Sequence, residues 1–233
     1  MARYLIVGGS RGIGKACAEH LAGQGHDILS VSRTQSRTGE WIEADIGTAE
    51  GIDHVVRAIG SGVLDGLLYL GGIWEEGAFT DSYDFLKSPV GEIQQVIAVN
   101  LTAPILLARG LVSALSLSDN ARIVLMGSVS GLENSGGHEV ANTASKFGLR
   151  GAAEALNASL RPLGIATTVI NPANVATPEV FEDIARGDFG PQVPIAMKDM
   201  TATLDYILRL SPDSVPSTID LKQTKPSATS RSD

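Results

Sequence analysis

Short apolar runs alternate with longer amphipathic stretches along this chain. The short runs are rich in leucine and β-branched residues and predict strands at residues 4–7, 27–32, 41–43, 67–70, 122–126 and 166–170. The longer stretches repeat apolar residues at helical spacing and predict helices at residues 12–24, 49–59, 93–116, 142–160 and 197–210. Alternating strands and helices form βαβ units, which place the strands parallel in one sheet. The pattern therefore predicts an α/β fold, a doubly wound parallel sheet with helices on both faces, in which ligands bind beyond the carboxyl ends of the strands.

Length and charge narrow the class of protein. With 233 residues, 43% of them apolar, the chain is long enough to bury the core of a single α/β domain. A net charge of -8 argues against a nucleic-acid or anionic-membrane surface, because phosphate contacts need clustered lysine and arginine. We therefore expect a small-molecule substrate, with no nucleic-acid or membrane partner.

Cysteine and histidine usage gives no sign of a disulfide or a metal site. Cys17 is the only cysteine, which fits a reducing cytosol. The histidines, His20, His26, His54 and His138, show no metal-ligand spacing. We therefore expect a cytoplasmic protein with no metal.

Neither a signal peptide nor a membrane span is predicted. The apolar run before the first glycine, residues 4–7, is only four residues long, too short for a signal-peptide core. The longest apolar run, residues 96–117, is interrupted by Asn100 and Arg109. We interpret it as a buried helix.

The first predicted strand runs into a glycine-rich turn, VGGSRGIGK, at residues 7–15. Such a turn between a strand and a helix lets the backbone approach phosphates, while the helix N-terminus offers free N–H groups. This pattern predicts a dinucleotide-binding turn. Residues 9–15 also match the GxxxxGK pattern of ATP-binding loops, but Ala16 replaces the hydroxyl residue that would bind magnesium. That replacement disfavours ATP.

Several motifs in sequence order resemble the short-chain dehydrogenase/reductase superfamily over about residues 3–178. Gly8, Gly12 and Gly14 match its Gly-x-x-x-Gly-x-Gly turn, with Val7 in place of the usual threonine. The resemblance implies a Rossmann-type fold in one domain over residues 1–221, with a substrate lid at about 178–194. We expect residues 222–233 to be a disordered tail.

The resemblance also implies a set of cofactor contacts. Asp45-Ile46 resembles the pair that contacts the adenine ring, and residues 171–177, NPANVAT, resemble the segment that holds the nicotinamide, with Ala173 in place of glycine. Gly71 and Gly72 replace the end of an Asn-Asn-Ala-Gly motif and keep the close backbone approach. The expected cofactor-binding residues are Gly8, Ser10, Arg11, Gly12, Ile13, Gly14, Ser32, Arg33, Asp45, Ile46, Gly71, Gly72, Lys146, Pro172, Val175 and Thr177.

The end of the second predicted strand indicates which dinucleotide binds. In this fold an acid about twenty residues past the glycine turn binds the ribose 2′-hydroxyl of NAD, whereas arginine accepts the 2′-phosphate of NADP. Ser32 and Arg33 stand at that place, and Arg11 lies in the glycine turn. Two guanidinium groups suit a phosphate dianion by charge and by bidentate geometry. We therefore predict NADP(H) over NAD(H).

The predicted reaction centre also departs from the family at the position of its catalytic tyrosine. The resemblance gives the family's catalytic serine as Ser128, its lysine as Lys146 and its helix asparagine as Asn100. Asn142 stands four residues before Lys146, where the family carries a tyrosine that protonates the developing alkoxide. A carboxamide donates a hydrogen bond but releases no proton near neutral pH. Losing the general acid would cost about 10² to 10⁴ in rate.

Substitute proton donors exist in the sequence. His138 and Glu139 lie just before the helix that carries Asn142, and Lys146 could supply a proton through water and Asn100. Tyr69, on the fourth predicted strand, is interpreted as a core aromatic rather than a new acid.

Two classes of function remain open. One is an NADPH-dependent reductase of a carbonyl, enone or imine/iminium substrate, with an atypical active site. The other is an NADP-binding protein without hydride transfer: a sensor, a partner subunit or a cyclase-like pocket. The resemblance implies a homodimer or homotetramer, although STIDLKQ, residues 217–223, replaces the glycine-rich C-terminal strand of the tetramers.

Overall fold

Seven parallel strands form the central sheet of the computed structural model, which describes residues 1–188 and 192–224. The sheet runs in the order β3-β2-β1-β4-β5-β6-β7, so β1 lies between β2 and β4. Strand order reverses at β1, and in open α/β sheets this is where ligands bind. The strands are β1 (Arg3–Val7), β2 (Asp27–Ser32), β3 (Glu40–Glu43), β4 (Gly66–Tyr69), β5 (Arg122–Met126), β6 (Ala166–Pro172) and β7 (Thr218–Leu221).

Helices cover both faces of the sheet, which confirms the predicted doubly wound architecture. They are α1 (Gly12–Gly23), α2 (Ala49–Ile59), α3 (Val90–Ile97), α4 (Ala103–Gly110), α5 (Val112–Leu115), α6 (Val140–Leu160), α7 (Pro178–Arg186) and α8 (Met197–Arg209). One core joins α2, α4 and α6 to the sheet, and the other joins α1 and α8 to it.

Alternation along β1 explains the two cores. Leu5 and Val7 point into the first core, whereas Tyr4 and Ile6 point into the second. Successive side chains of a strand face opposite sides of the sheet, so a strand covered on both sides is apolar throughout. The short apolar runs of the sequence therefore marked β1 to β6 to within two residues, whereas β7 was not among the predicted strands.

The helix predicted over residues 93–116 is confirmed in its position but not in its start or its regularity. The helix begins earlier, at Val90, and a π-helical turn at Ala98–Thr102 separates α3 from α4. The side chain of Asn100, in this turn, hydrogen-bonds the backbone of Ile73. Such widened turns often occur at functional sites. The spacing of apolar residues in the sequence does not indicate the π-helical turn, because the hydrogen bonds that accompany the turn join it to a loop that is distant in sequence.

By length and composition alone, the continuous segment Val90–Gly110 could cross a membrane. Within the fold, its residues Ala103, Leu107 and Ala108 are buried in the first core. Core helices share this composition with membrane spans.

The C-terminal part of the chain contains the segments expected to form a lid, to replace the glycine-rich strand and to form a tail. The predicted lid, residues 178–194, contains α7, and its residues 189–191 lie outside the described residues. The segment 217–223 forms β7 without any glycine, pairing with the end of β6. Residues 225–233 of the expected disordered tail lie outside the described residues.

Candidate active site

The glycine turn after β1 touches the segment after β4. Gly8 has φ +89°, and a Cβ atom added there would lie 2.6 Å from Cα of Gly71. Only glycine tolerates both the left-handed backbone and this approach. The turn therefore lies directly against Gly71 at the switch point of the sheet.

The start of α1 is suited to bind an anion. A Cβ at Gly14 would collide with the carbonyl oxygen of Gly8, which shows how tightly the turn folds on the helix. Arg11 gives no side-chain cap, and the first turn of α1 contains no acid. The first N–H groups of the helix thus remain available to a phosphate, and the helix dipole favours one.

The segment predicted to hold the nicotinamide lies at the same place. Pro172 ends β6, Val175 is buried in the second core, and the Thr177 side chain caps α7 by accepting from the N–H of Val180. A Cβ at Gly12 would lie 3.8 Å from Cγ2 of Thr177. The structure therefore brings the glycine turn and residues 172–177 together.

The loop after β2 is joined to the glycine turn. Oγ1 of Thr34 donates a hydrogen bond to Oγ of Ser10 at 3.1 Å, which links the neighbours of Arg33 and Arg11. Both arginines are exposed, and neither forms an ion pair in the part of the chain that the structure describes. The Ser32 hydroxyl donates to the carbonyl of Thr34 within its own loop.

Three other expected cofactor residues also have roles in the local structure. Oδ1 of Asp45 accepts a hydrogen bond from the N–H of Gly47 at 2.9 Å. Ile46 is partly buried against the first core, and Ile13 against the second. Together with the glycine turn and the free start of α1, this arrangement fits a dinucleotide laid across the carboxyl ends of β1, β2 and β4.

Lys146, on α6, lies at the centre of the site. Its Nζ donates to the carbonyl of Met126, at the end of β5, at 3.0 Å. Burial lowers the pKa of Lys146 to about 8. A Cβ added to the exposed Gly72 would lie 3.5 Å from this Nζ and 3.3 Å from Oδ1 of Asn100. The ammonium, the amide and the backbone after β4 therefore meet at one point.

Asn100 links the site's loops and helices. Its Oδ1 accepts from the N–H of Ile73 at 2.9 Å, and its Nδ2 donates to the carbonyl of Ile73 and to Oγ of Ser145. The Ser145 hydroxyl in turn donates to the carbonyl of Asn142 at 2.6 Å. The sequence did not identify Ser145 as a site residue. Its position directly before Lys146 is the only feature of the sequence that could have indicated it.

Ser128 begins the short turn that packs against α6, and Asn142 lies on α6 itself. Ser128 lies just after β5, and its Oγ accepts from the N–H of Ser130 in a short 3-10 turn, residues 129–131. That turn packs on α6, since a Cβ at Gly131 would lie 2.8 Å from the backbone of Lys146. Asn142 is 3% exposed, one helical turn before Lys146.

The sequence of the chain is similar to that of a known enzyme family. Residues 3–185 match the family described as short chain dehydrogenase. The chain belongs to the short-chain dehydrogenase family. It is 31% identical over 182 residues to the short chain dehydrogenase adrF of Penicillium rubens, covering 74% of this chain and 69% of that protein.

A further relative is similar in sequence, and a solved structure is similar in fold. The 3-oxoacyl-[acyl-carrier-protein] reductase FabG of Escherichia coli is 26% identical over 204 residues, which cover 82% of this chain and 81% of FabG. The solved Pseudomonas aeruginosa RhlG/NADP active-site complex superposes with a TM-score of 0.77 at 22% identity, covering 94% of each chain. The protein therefore belongs to an oxidoreductase family whose members bind nicotinamide cofactors.

Glu75 is a second site residue that the sequence did not reveal. Its Oε1 accepts hydrogen bonds from the N–H groups of Ala141 (2.8 Å) and Asn142 (3.1 Å), in the first turn of α6. Glu75 lies outside the sequence motifs that resemble the short-chain dehydrogenases. The contact spans 67 residues of sequence, so no local pattern could indicate it.

The two candidate proton donors before α6 lie in different surroundings. His138 is exposed. Glu139 is buried, and its Oε1 accepts from the N–H of Phe79 at 2.8 Å. Glu139 therefore already holds the loop after β4, whereas His138 is open to solvent.

Tyr69 is a core residue of this short-chain dehydrogenase. It is buried in the first core, its hydroxyl donates to the carbonyl of Val99, and burial raises its pKa. We expect Tyr69→Phe to lower the free energy of unfolding by about 1 kcal/mol, because the Val99 carbonyl loses its donor. Urea unfolding measures this change.

Turnover should be unaffected by Tyr69→Phe. Loss of turnover in a variant that remains folded would show instead that the Tyr69 hydroxyl takes part in proton transfer.

Proposed function

We propose that this protein is an NADPH-dependent reductase with an atypical active site. The observation that carries the proposal is the meeting of Lys146 and Asn100 at Gly72, beside the glycine turn. An ammonium placed there can bind the nicotinamide ribose, and Ser128 can donate a hydrogen bond to a substrate. When bound, NADPH supplies a hydride.

The preference for NADPH rests on charge. Arg11 and Arg33 are exposed, free of ion pairs among the described residues, and joined through Ser10 and Thr34. Two free guanidinium groups suit the 2′-phosphate that distinguishes NADPH. The NADP complex of the structural relative from Pseudomonas aeruginosa supports this choice.

Arg33→Ala should abolish the cofactor preference. We expect NADPH affinity to fall by about tenfold or more, since a charge-assisted bond to phosphate contributes roughly 1.5–3 kcal/mol, while NADH affinity stays the same. Fluorescence titration with both cofactors measures the change. Arg37→Ala is the matched control, because Arg37 is an exposed arginine of the same loop. Equal affinity of the wild type for both cofactors, or an unchanged preference in Arg33→Ala, would contradict the assignment.

The substrate is a compound that needs no strong acid. Asn142 holds the place of the family's tyrosine, and its amide orients a substrate without giving up a proton. Hydride addition to a neutral ketone leaves an alkoxide, whereas an enone forms an enolate and an iminium ion forms a neutral amine. We therefore propose enones, imines and ketones with their own acidic hydroxyl as better substrates than simple ketones.

The alternative is an NADP-binding protein without hydride transfer. Lys146 and Asn100 can be explained by cofactor binding and structure alone, so Ser128 is the better sign of chemistry. The decisive experiment follows NADPH absorbance with a panel of ketones, enones and imines. Consumption of NADPH supports the reductase, and tight NADPH binding without consumption by any electrophile supports the alternative.

We further propose a cytoplasmic homodimer or homotetramer. Ile105 on α4 and Phe147 on α6 are exposed apolar residues on the two helices that the family uses for assembly. A monomeric mass by light scattering at micromolar concentration would contradict this proposal.

A further inference from the structure

The loop 74–80 and helix α7, with Asp188 just beyond the helix, line an open cavity of about 410 Å³. Glu75 lines the cavity and also binds the N–H of Asn142, so the cavity wall adjoins the first turn of α6. The same helix α7 begins directly after Thr177, at the end of the segment expected to hold the nicotinamide. The cavity is therefore placed to receive the substrate of the proposed reductase.

Acidic side chains dominate the cavity. The charged lining residues are five carboxylates and one guanidinium: Glu75, Glu76, Glu179, Asp183, Asp188 and Arg186. Arg186 forms ion pairs with both aspartates. The three glutamates have no ion-pair partner in residues 1–188 and 192–224. The cavity thus presents net negative charge.

Glu75 is the most buried carboxylate of the cavity lining. It is only 1% exposed, and its Oε1 is occupied by two backbone N–H groups. Its Oε2 is equally buried and has no hydrogen-bond partner within the described part of the chain. A buried polar atom without a partner is costly, and the cost is higher for a charged group. A cationic ligand in the cavity would offset it.

An aromatic pair completes the lining. The rings of Trp74 and Phe79 meet edge to face, with centroids 5.9 Å apart. Trp74 is 56% exposed. An organic cation is attracted to the face of an indole ring as well as to carboxylates. A neutral carbonyl compound would gain little from either group.

We propose that this cavity selects a positively charged substrate, an iminium ion or protonated imine, over neutral carbonyl compounds. The inference rests on the reductase function proposed above and names its substrate class. Hydride addition to an iminium carbon forms a C–H bond, and the C=N π electrons become the nitrogen lone pair. The product is a neutral amine, so the step requires no proton from the protein, consistent with an asparagine at position 142.

The test compares two ligands of equal shape that accept no hydride. The first is 1,2,3,4-tetrahydroisoquinoline, which is a cation at neutral pH; the second is isochroman, its neutral oxygen analogue. Calorimetric titration of each into the NADPH-bound protein gives the ratio of their affinities. We expect the amine to bind at least about tenfold more tightly, because a nearby carboxylate attracts a cation strongly in a site that is partly screened from water.

Three variants assign the effect to this cavity. Glu75→Gln keeps an acceptor oxygen for α6 but removes the charge, and should lower the affinity ratio about tenfold. Glu179→Gln, at a half-buried position of the wall formed by α7, should lower it about threefold and keeps the test valid if Glu75→Gln does not fold. Glu182→Gln is the matched control, since Glu182 lies on the same helix and does not line the cavity. It should leave the ratio unchanged.

Equal binding of the two ligands by the wild type would overturn the inference. An equal loss of amine binding in Glu179→Gln and Glu182→Gln would also overturn it, because it would show that the amine responds only to the overall negative charge of the protein and not to this cavity. The panel of electrophiles decides the proposed function separately. Preferential amine binding without NADPH consumption refutes the reductase and leaves the cation site, whereas consumption by neutral carbonyls without amine preference refutes only the cation site.

Discussion

Asn142→Tyr is expected to raise the rate of simple-ketone reduction by about 10² or more, because it restores a general acid at the position where the proposed reaction lacks one. Lys146 lies one helical turn away and faces the same side of α6. Its positive charge would lower the pKa of a phenol at position 142. Steady-state kinetics with NADPH and an unactivated cyclic ketone measures the effect.

Asn142→Phe is the matched control for Asn142→Tyr. Asn142 is buried, so either ring must be accommodated inside the protein. The two rings are nearly equal in size, and only tyrosine adds a hydroxyl. A rate increase shared by both variants would indicate pocket reshaping rather than acid catalysis. If the wild type already reduces plain ketones at ordinary family rates, and that rate follows protonation of His138 or Glu139, a relocated acid is the better explanation.

The second large effect is expected at the glycine turn. Gly14→Ala should lower the free energy of unfolding by about 1–3 kcal/mol, since its new methyl group would collide with the carbonyl of Gly8. Backbone atoms cannot rotate away as a side chain does, so the turn itself must shift. NADPH affinity should fall with it, because the turn and the first N–H groups of α1 form the proposed phosphate site. Thermal unfolding with and without NADPH measures both changes.

Gly23→Ala in the same helix provides the comparison. No atom lies within 4 Å of a Cβ added there. We expect it to leave NADPH affinity unchanged and to stabilise the protein by up to about 1 kcal/mol, because alanine favours the helix over glycine. If Gly14→Ala binds NADPH as tightly as Gly23→Ala does, the glycine turn is not the phosphate site.

Local patterns in the sequence were sufficient for the fold. The strands of a parallel sheet are buried on both faces, so they leave continuous apolar runs such as residues 122–126, which match β5. The glycine turn was equally clear, because a tight strand-to-helix connection requires glycine at set positions. These features depend on neighbouring residues, and neighbouring residues are what a sequence displays.

The tertiary structure alone decided the details of the site. The π-helical turn at Asn100 accompanies bonds to Ile73, and the first turn of α6 is held by Glu75. The lowered pKa of Lys146 comes from burial among elements that are distant in sequence. The acidic cavity likewise lies between a loop after β4 and helix α7. Such properties arise from contacts between remote segments, and the periodicity of the chain carries no information about which remote segments will meet.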